Sequence, residues 1–330
     1  MDEKIALEIK NLKKYFPVKK GFFKRTVGYV KAVDGVSFHI GAGETFGLVG
    51  ESGCGKTTVG KLVMRLHEAD AGEIRLFGKD ITHLRERELR KERRDFQIVF
   101  QDPYGSLDPT KTVASILSEP LRKYKAVPRE EISGRVEALL DMVGLNPDDA
   151  NKYPHEFSGG QRQRVAVARA IALQPKLIVC DEPVSALDVS VQAQGLNLLK
   201  ELQNRLGISY LFIAHGMAVV KHISQRIGVM YLGQLVEVAE AEELFRCQLH
   251  PYTATLISSI PIPDPTYSAQ RIILEGEVPS PIRLQAAGSI PGAPMQRTPV
   301  KSRRPPCRSL ARAILWHAIF LAPIDGASRM

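Results

Sequence analysis

Apolar and polar residues alternate along the first part of the chain with the two-residue period of a β-strand. The segments Ile5–Tyr15 and Val30–Ile40 follow this pattern, and a basic loop around Lys19–Arg25 is expected between them. The short apolar run Thr45–Val49 leads into a glycine-rich loop and then a helix over about Lys56–His67. A strand, a glycine loop and a helix in this order predict the beginning of an α/β core.

The middle of the chain changes to the helical period. Apolar residues recur every three or four positions in Val113–Leu121 and Ile132–Val143, so residues 102–173 are predicted to form a helical insertion. Strand-like segments flank this insertion. After it, the β-rich runs Leu177–Cys180 and Ser209–Ala214 are separated by a helical pattern, which indicates that a parallel sheet resumes.

The excess of positive charge lies mainly at the end of the chain. The net charge is +9, but residues 281–330 hold eight of the 45 Lys and Arg residues and one of the 36 Asp and Glu residues. The tail therefore carries +7 and the other 280 residues only +2. Because the basic excess lies in this Pro-rich tail, it does not support nucleic-acid binding by the body of the protein, and no nucleic-acid partner is expected.

Cysteine spacing and hydropathy bear on the compartment. The cysteines are far apart, without the paired spacing of a zinc site or a disulfide framework, which favours a reducing cytoplasm: Cys54, Cys180, Cys247 and Cys307. The charged start, Met1 to Lys4, lacks the apolar stretch of a signal peptide. The apolar run Ala313–Ile324 is about half of the roughly 20 residues that a spanning helix needs. We therefore expect contact with a membrane only through partner proteins.

The glycine loop matches the phosphate-binding pattern G-x-x-x-x-G-K-[ST], and Thr58 follows it. Its glycines allow backbone N–H groups to point at phosphate oxygens, and the helix that follows adds a favourable dipole. In this pattern Lys56 reaches the β- and γ-phosphates, and the Thr57 hydroxyl is a ligand for Mg²⁺. The predicted nucleotide-binding residues of the loop are Gly50, Glu51, Ser52, Gly53, Cys54, Gly55, Lys56, Thr57 and Thr58.

Two adjacent carboxylates follow the buried strand Leu177–Cys180. A strand of this kind delivers Asp181 and Glu182 to the carboxyl edge of the sheet, beside the phosphate loop. Asp181 is predicted to hold Mg²⁺, and Glu182 is predicted to polarise the water that attacks the γ-phosphate.

A third segment, Phe157 to Arg164, resembles the signature motif of ATP-binding-cassette (ABC) proteins. Ser158, Gly159 and Gly160 precede a helical run that begins near Gln161, and they offer a hydroxyl, N–H groups and a positive dipole end to a phosphate. In the family this motif completes the ATP site of a second subunit. The resemblance therefore implies that two ATP molecules are sandwiched between two cassettes.

The resemblance also implies the ABC ATPase fold, an α/β phosphate-loop core with a mixed sheet, an antiparallel β subdomain and a helical insertion. ATP and Mg²⁺ are the implied cofactors, and Thr57, Gln101 and Asp181 are the implied metal ligands. Catalysis is assigned to Glu182, His215, Lys56 and Gln101, where His215 resembles the switch histidine. Asp188 resembles the D-loop residue at the dimer seam. Tyr15 resembles the aromatic residue that stacks on adenine, with Phe16 as the alternative.

Further strings resemble oligopeptide and dipeptide importer ATPases, which share features with nickel and glutathione importers: residues 12–17, 101–104, 231–233, 250–253 and 274–281. The resemblance implies a nucleotide-binding domain over residues 1–260, an importer-type extension over 261–281 and a basic tail over 282–330. It implies two membrane permease subunits, an external solute-binding protein that acts indirectly, and a second ATPase subunit, with a heterodimer expected and a homodimer as the alternative. The chain is then peripheral, at the cytoplasmic face of the cell membrane.

Two departures from the family qualify this interpretation. Gly216 follows His215 where the family more often has Asp, and reduced or altered activity is expected from it. After Pro281 the chain lacks the family's short cysteine-rich segment, so the tail is either a natural disordered tail or the product of a reading-frame change. The alternative function is a soluble ABC ATPase that acts on nucleic acid or ribosomes. Such relatives usually have long coiled coils or two cassettes, which this chain lacks.

Overall fold

The computed structural model describes residues 5–20, 25–185 and 187–260. The predictions for the extension after residue 260 and for the basic tail lie outside these residues. The strands in chain order are β1 Ile5–Lys20, β2 Arg25–Gly41, β3 Thr45–Val49, β4 Ala71–Leu76, β5 Lys79–Asp80, β6 Phe96–Val99, β7 Leu177–Asp181, β8 Ser209–Ala214, β9 Arg226–Tyr231 and β10 Gln234–Glu240.

The helices divide into those that pack beside the strands and those inserted between β6 and β7. They are α1 Lys56–Val63, α2 Glu86–Glu92, α3 Pro103–Ser106, α4 Val113–Tyr124, α5 Ile132–Met142, α6 Gly159–Ile171, α7 Val189–Leu206, α8 Met217–Ile223, α9 Ala241–Arg246 and α10 Pro251–Ser258. Short 3₁₀ turns lie at Arg129–Glu131, Pro147–Asn151 and Pro154–Glu156. Helices α3 to α6 occupy the interval between β6 and β7 in which the sequence predicts a helical insertion.

The strands form two sheets. An antiparallel sheet has the order β2-β1-β4-β5, and a six-stranded mixed sheet has the order β10-β9-β3-β8-β7-β6. In the mixed sheet, β3, β6, β7, β8 and β9 run parallel, while β10 pairs antiparallel with β9. The predicted fold class, an α/β core with a mixed sheet and an antiparallel β part, is confirmed.

The central strands are buried on both faces, which explains why they read as continuous apolar runs. In β8, Tyr210 and Phe212 pack into one apolar cluster with the inserted helices, and Leu211 and Ile213 pack into a second cluster with the antiparallel sheet and α1. Because side chains alternate along a strand, the mixed sheet separates two cores. Its carboxyl edge lies between them and carries the candidate site.

The first hairpin is longer than the sequence pattern predicts. The antiparallel pairing of β1 with β2 continues to Lys19, which pairs with Thr26, and to Lys20, which pairs with Arg25. The prediction of a loop that includes Lys19 and Arg25 is therefore wrong at both ends, because main-chain pairing extends beyond the alternating side-chain pattern. The helix predicted to reach His67 ends at Val63, and Arg65 takes a left-handed φ of 51°.

Candidate functional site

The phosphate loop runs from Gly50 to Gly55, between the end of β3 and the start of α1. Gly50 has φ 152° and Gly55 has φ 109°. A Cβ at Gly50 would lie 2.1 Å from the carbonyl oxygen of Met230, and one at Gly55 would lie 2.0 Å from that of Ala32. Both positions therefore require glycine on steric as well as conformational grounds. The loop is curled tightly against its neighbours.

Lys56, the first residue of α1, is 3% exposed and reaches back over the loop. Its Nζ donates to the carbonyl oxygens of Gly50 at 2.7 Å and Glu51 at 2.8 Å, and it lies 3.7 Å from Cys54 Sγ. The ammonium is thus held by neutral main-chain acceptors instead of a carboxylate. Its positive charge is available to an anion that enters the loop.

A cavity of about 210 Å³ lies above the loop. It brings together residues that are far apart in sequence, since Gln101 follows β6 and Glu182 follows β7. Its lining comprises Val30, Lys31, Ala32, Ser52, Gly53, Gly55, Lys56, Thr57, Thr58, Gln101, Glu182, Leu232 and Gly233. Of the other loop residues, the Glu51 side chain is exposed and the Cys54 side chain is buried beneath Lys56. Burial raises the pKa of the Cys54 thiol.

Asp181 ends β7 directly beside α1. The Thr57 hydroxyl donates to Asp181 Oδ1 at 3.0 Å, and the aspartate side chain is nearly completely buried. Burial raises the pKa of the Asp181 carboxyl, and the hydrogen bond from Thr57 only partly offsets this effect. A buried carboxylate and a hydroxyl on adjoining elements form a hard oxygen pair of the kind that suits Mg²⁺.

Glu182 is the centre of a second cluster of polar side chains. Gln101 Nε2 donates to Glu182 Oε2 at 2.8 Å, and His215 Nδ1 lies 3.6 Å from the same oxygen. Glu182 has φ 48°, an unusual backbone conformation for a residue with a side chain. Its N–H donates to the carbonyl of Ile213, and its own carbonyl accepts from the Ser185 hydroxyl at 3.0 Å. These bonds hold the carboxylate at the mouth of the cavity.

His215 follows β8 directly, and its side chain is 60% exposed. Gly216 is the N-cap of α8 and has φ −93°, which residues with side chains adopt readily, and its position makes no side-chain capping hydrogen bond. A Cβ at Gly216 would meet only Val219 Cγ2, at an ordinary 3.7 Å. Nothing in the local backbone therefore requires glycine at this position.

The signature segment lies outside the cavity. Ser158 is the N-cap of α6, where its Oγ accepts from the Gln161 N–H at 3.3 Å and its own N–H donates to Gln161 Oε1 at 2.9 Å. A Cβ at Gly160 would lie 2.6 Å from Val191 Cγ1, and one at Gly159 would lie 3.3 Å from Leu187 Cδ2. The helix start thus packs against the beginning of α7, while Ser158 itself is exposed.

Asp188 is the N-cap of α7 and is also outside the cavity. Its Oδ1 accepts from the Val191 N–H at 3.0 Å and from the Ser190 hydroxyl at 2.7 Å. These two bonds lower the pKa of the Asp188 carboxyl. The structure therefore joins Lys56, Thr57, Gln101, Asp181, Glu182 and His215 at one end of the sheet. It places Ser158, Gly159, Gly160, Gln161 and Asp188 in a separate group.

Tyr15 lies beside the cavity without lining it. Its hydroxyl donates to Asp34 Oδ1 at 2.5 Å, and Lys31 Nζ lies 5.5 Å from the centre of its ring. Burial raises the pKa of Tyr15 to about 12, and Asp34 adds to the shift. Phe16 instead packs edge-on against the His67 ring at 5.7 Å. The adenine-stacking role of Tyr15 stays a prediction.

The turn between β9 and β10 lies at the site, although the sequence does not predict it there. Leu232 and Gly233 line the cavity, and the Gly233 N–H donates to the carbonyl of Cys54 at 2.9 Å. Gly233 has φ 85°, and a Cβ there would lie 2.5 Å from the carbonyl oxygen of Lys31. The string from Tyr231 to Gly233 stands out in the sequence, but nothing local indicates that it contacts the phosphate loop.

Comparison with known proteins identifies the family to which this chain belongs. The family model described as "ABC transporter" matches residues 33–185, and the one described as "Oligopeptide/dipeptide transporter, C-terminal region" matches residues 236–289. The oligopeptide transport ATP-binding protein AppF of Bacillus subtilis (strain 168) is 52% identical over 283 residues, which cover 85% of this chain and 86% of that protein. The protein belongs to the ABC transporter ATP-binding subunits.

Other relatives agree with this assignment. The oligopeptide transport ATP-binding protein OppF of the same Bacillus strain is 54% identical over 274 residues, which cover 82% of this chain and 87% of OppF. Among solved structures, the dimeric ATP-binding cassette MJ0796 bound to ADP and Pi is 31% identical with a TM-score of 0.63, over 71% of this chain and 98% of that one. The chain is therefore an ABC-type transport ATPase of the oligopeptide/dipeptide importer group, and it binds ATP.

Among residues 5–20, 25–185 and 187–260, no helix has both the length and the apolar character needed to cross a bilayer.

Proposed function

We propose that this ABC ATPase powers the import of oligopeptides or dipeptides, or of a similar small solute such as nickel or glutathione, across the cell membrane. The observation that carries the ATPase part of the proposal is the convergence of Gln101 and His215 on one oxygen of Glu182, a residue that lines the same cavity as Lys56. The relatives named as oligopeptide transport proteins support the choice of solute.

In the proposed mechanism the phosphate loop binds the triphosphate. Lys56 transfers at least one of its hydrogen bonds from the carbonyls of Gly50 and Glu51 to phosphate oxygens. Backbone N–H groups of the loop and the N-terminus of α1 complete an electropositive cradle. The energy of nucleotide binding then drives closure of two subunits, and hydrolysis allows them to reopen.

Glu182 acts as the general base in this mechanism. Its Oε2 accepts a proton from the attacking water, and Gln101 and His215, which lie near the same oxygen, orient that water. The left-handed backbone at Glu182 keeps the carboxylate at the cavity. Asp181, which is buried and bonded to Thr57, is not placed to take this role.

The residues at the sheet edge fit Mg²⁺. Thr57, Asp181 and Gln101 would hold the ion, and the bound ion would neutralise negative charge on the triphosphate. The raised pKa of the Asp181 carboxyl fits a site in which a cation compensates for the buried negative charge.

The exposure of the helix start at Ser158 supports the existence of a partner ATPase subunit, whose ATP site this helix start would complete. We propose that Ser158, Gly159, Gly160 and Gln161 contact the γ-phosphate held by the phosphate loop of a second ATPase subunit, with Asp188 at the seam. A heterodimer of related ATPases would then drive two membrane permeases, and an external binding protein would deliver the solute. In such a complex this chain would lie at the cytoplasmic face of the membrane.

Uptake of labelled peptides tests the proposed solute. In cells that make this chain, replacement by the Lys56→Ala variant at equal abundance should abolish ATP-dependent uptake of oligopeptides while other ABC importers continue to work. Nickel and glutathione uptake are measured in parallel, because loss of either one alone would reassign the solute. Association of the purified chain with RNA or ribosomes, with peptide uptake unchanged, would contradict the proposal.

A further inference from the structure

The first residue after Gly50 in the phosphate loop is held from outside the loop. The Glu51 N–H donates to the hydroxyl oxygen of Tyr252 at 3.0 Å, and the Glu51 carbonyl accepts from Lys56 at 2.8 Å. Both polar groups of one backbone residue are therefore engaged by side chains. One of these side chains is the proposed phosphate ligand, and the other belongs to α10, about 200 residues farther along the chain.

The start of α10 is fixed to β10 independently of the loop. The Glu237 carboxylate, which is 7% exposed, accepts from the N–H groups of Leu249 at 2.9 Å and His250 at 3.1 Å. His250 Nδ1 accepts from the Tyr252 N–H at 3.2 Å, so His250 caps the helix. These bonds fix the backbone of Tyr252 independently of the contact that its hydroxyl makes.

The Tyr252 ring is also fixed. It is 4% exposed and packs on the Tyr231 ring, with 4.4 Å between the ring centres. Tyr231 ends β9, and the turn that follows donates from the Gly233 N–H to the carbonyl of Cys54. Elements β9, β10 and α10 therefore hold the phosphate loop at two points, the N–H of Glu51 and the carbonyl of Cys54. Burial raises the pKa of the Tyr252 phenol, which keeps it neutral.

We propose that Tyr252 is a positioning residue for nucleotide binding, through which the importer-type C-terminal region holds the phosphate loop in its binding conformation. This inference rests on the proposed role of Lys56. When Lys56 leaves the carbonyls of Gly50 and Glu51 for phosphate oxygens, the loop loses internal hydrogen bonds. The bond from Glu51 to Tyr252 remains and keeps the curl of the loop. Both Glu237 and Tyr252 lie within residues 236–289, which match the oligopeptide/dipeptide C-terminal family model.

The Tyr252→Phe variant removes the hydroxyl and keeps the packed ring. We expect the Kd and KM for ATP to rise roughly two- to tenfold, the range that corresponds to one net hydrogen bond. The kcat should stay within about twofold, because Tyr252 does not line the cavity that holds the reacting groups. Full-length protein is used, with a fluorescent ATP analogue for Kd and steady-state hydrolysis for KM and kcat.

Tyr210→Phe is the matched control. Tyr210 is fully buried, and its hydroxyl donates to the carbonyl of Leu199 at 3.1 Å, away from the phosphate loop. This variant should lower the melting temperature of the nucleotide-free protein and leave the Kd for ATP unchanged. The proposal is overturned if Tyr252→Phe binds ATP with wild-type affinity, or if Tyr210→Phe weakens binding to the same degree.

A double-mutant cycle tests whether Glu237 acts through Tyr252. Glu237→Ala should also raise the Kd for ATP. The Kd of the double variant should not exceed the higher of the two single-variant values. Additive losses would contradict the coupling. Lys56→Ala separates this inference from the proposed function. Unchanged affinity in that variant would refute the phosphate-loop assignment itself, whereas lost affinity there with normal binding by Tyr252→Phe would refute only the role of Tyr252.

Discussion

The phosphate-loop end of the mixed sheet and the signature start of α6 differ in what surrounds them. At the sheet end, Lys56, Asp181 and Glu182 are buried or largely buried and are hydrogen-bonded to other residues of the same chain. At the helix start, Ser158 and Gln161 are exposed, and their side chains bond to the backbone of their own turn. One region is assembled within the chain, and the other presents its polar groups outward.

In the proposed mechanism, this difference separates nucleotide binding from hydrolysis. The site built within one chain would bind nucleotide alone, whereas the exposed helix start would stabilise phosphate only when a second subunit brings the phosphate to it. Substitutions in the two regions should therefore affect different measurements.

Removal of the Glu182 carboxylate should have the largest effect. Glu182→Gln keeps the side-chain shape, so ATP binding should persist, while loss of the general base should lower kcat by about 10²- to 10⁴-fold. Equilibrium binding and steady-state hydrolysis measure the two quantities. Glu201→Gln, on the exposed face of α7, is the control and should leave both unchanged. Hydrolysis near the wild-type rate in Glu182→Gln would refute the assignment of the base.

An added methyl group at the signature should affect hydrolysis and spare binding. In Gly160→Ala the new Cβ would meet Val191 Cγ1 at 2.6 Å, which displaces the start of α6. We expect kcat to fall about tenfold, with the ATP affinity of the isolated chain within about twofold of wild type. Gly134→Ala in α5, where a Cβ meets nothing within 4 Å, is the matched control. Loss of ATP binding by the isolated Gly160→Ala chain would contradict the expectation that the signature segment affects hydrolysis and spares binding.

Gly216→Asp should give a smaller effect at the edge of the phosphate-loop end. An Asp at this N-cap can accept from N–H groups at the start of α8, which should contribute about 0.3 kcal/mol relative to Gly and raise the melting temperature by about 1 °C. The hydrolysis rate should rise severalfold, because His215 is then held more firmly. Gly216→Ala separates capping from backbone stiffening. Rates that are the same in all three proteins would show that Gly216 does not alter activity.

The smallest effect concerns pH at the start of α10. Burial lowers the pKa of His250, while the unfolded chain takes up a proton near pH 6.5. The folded state binds fewer protons than the unfolded state, so this stabilising contribution is present above pH 6.5 and decreases as the pH falls below it. His250→Asn keeps a helix cap without titrating. Denaturant unfolding at pH 7.5 and pH 5.5 should show a stability loss in wild type that exceeds the loss in His250→Asn by at most about 1.4 kcal/mol per pH unit. Equal losses would exclude His250 as the source.

Most of the core of the candidate site could be predicted from sequence, because its residues sit at the ends of short apolar strands. The ends of β3, β7 and β8 place Lys56, Glu182 and His215 at one sheet edge, as parallel strands require. The contacts of Gly233 and Tyr252 with the phosphate loop could not be predicted in this way. They depend on how β9, β10 and α10 pack against the loop, which no local periodicity encodes.

The alternation along β8 has a consequence for how the protein melts. Leu211 and Ile213 belong to one apolar cluster, Tyr210 and Phe212 belong to the other, and the same strand leads to His215. Neither cluster can loosen without disturbing the strand that both share. Heat should therefore disrupt the two layers together in a single cooperative transition, and heat inactivation of hydrolysis should coincide with it.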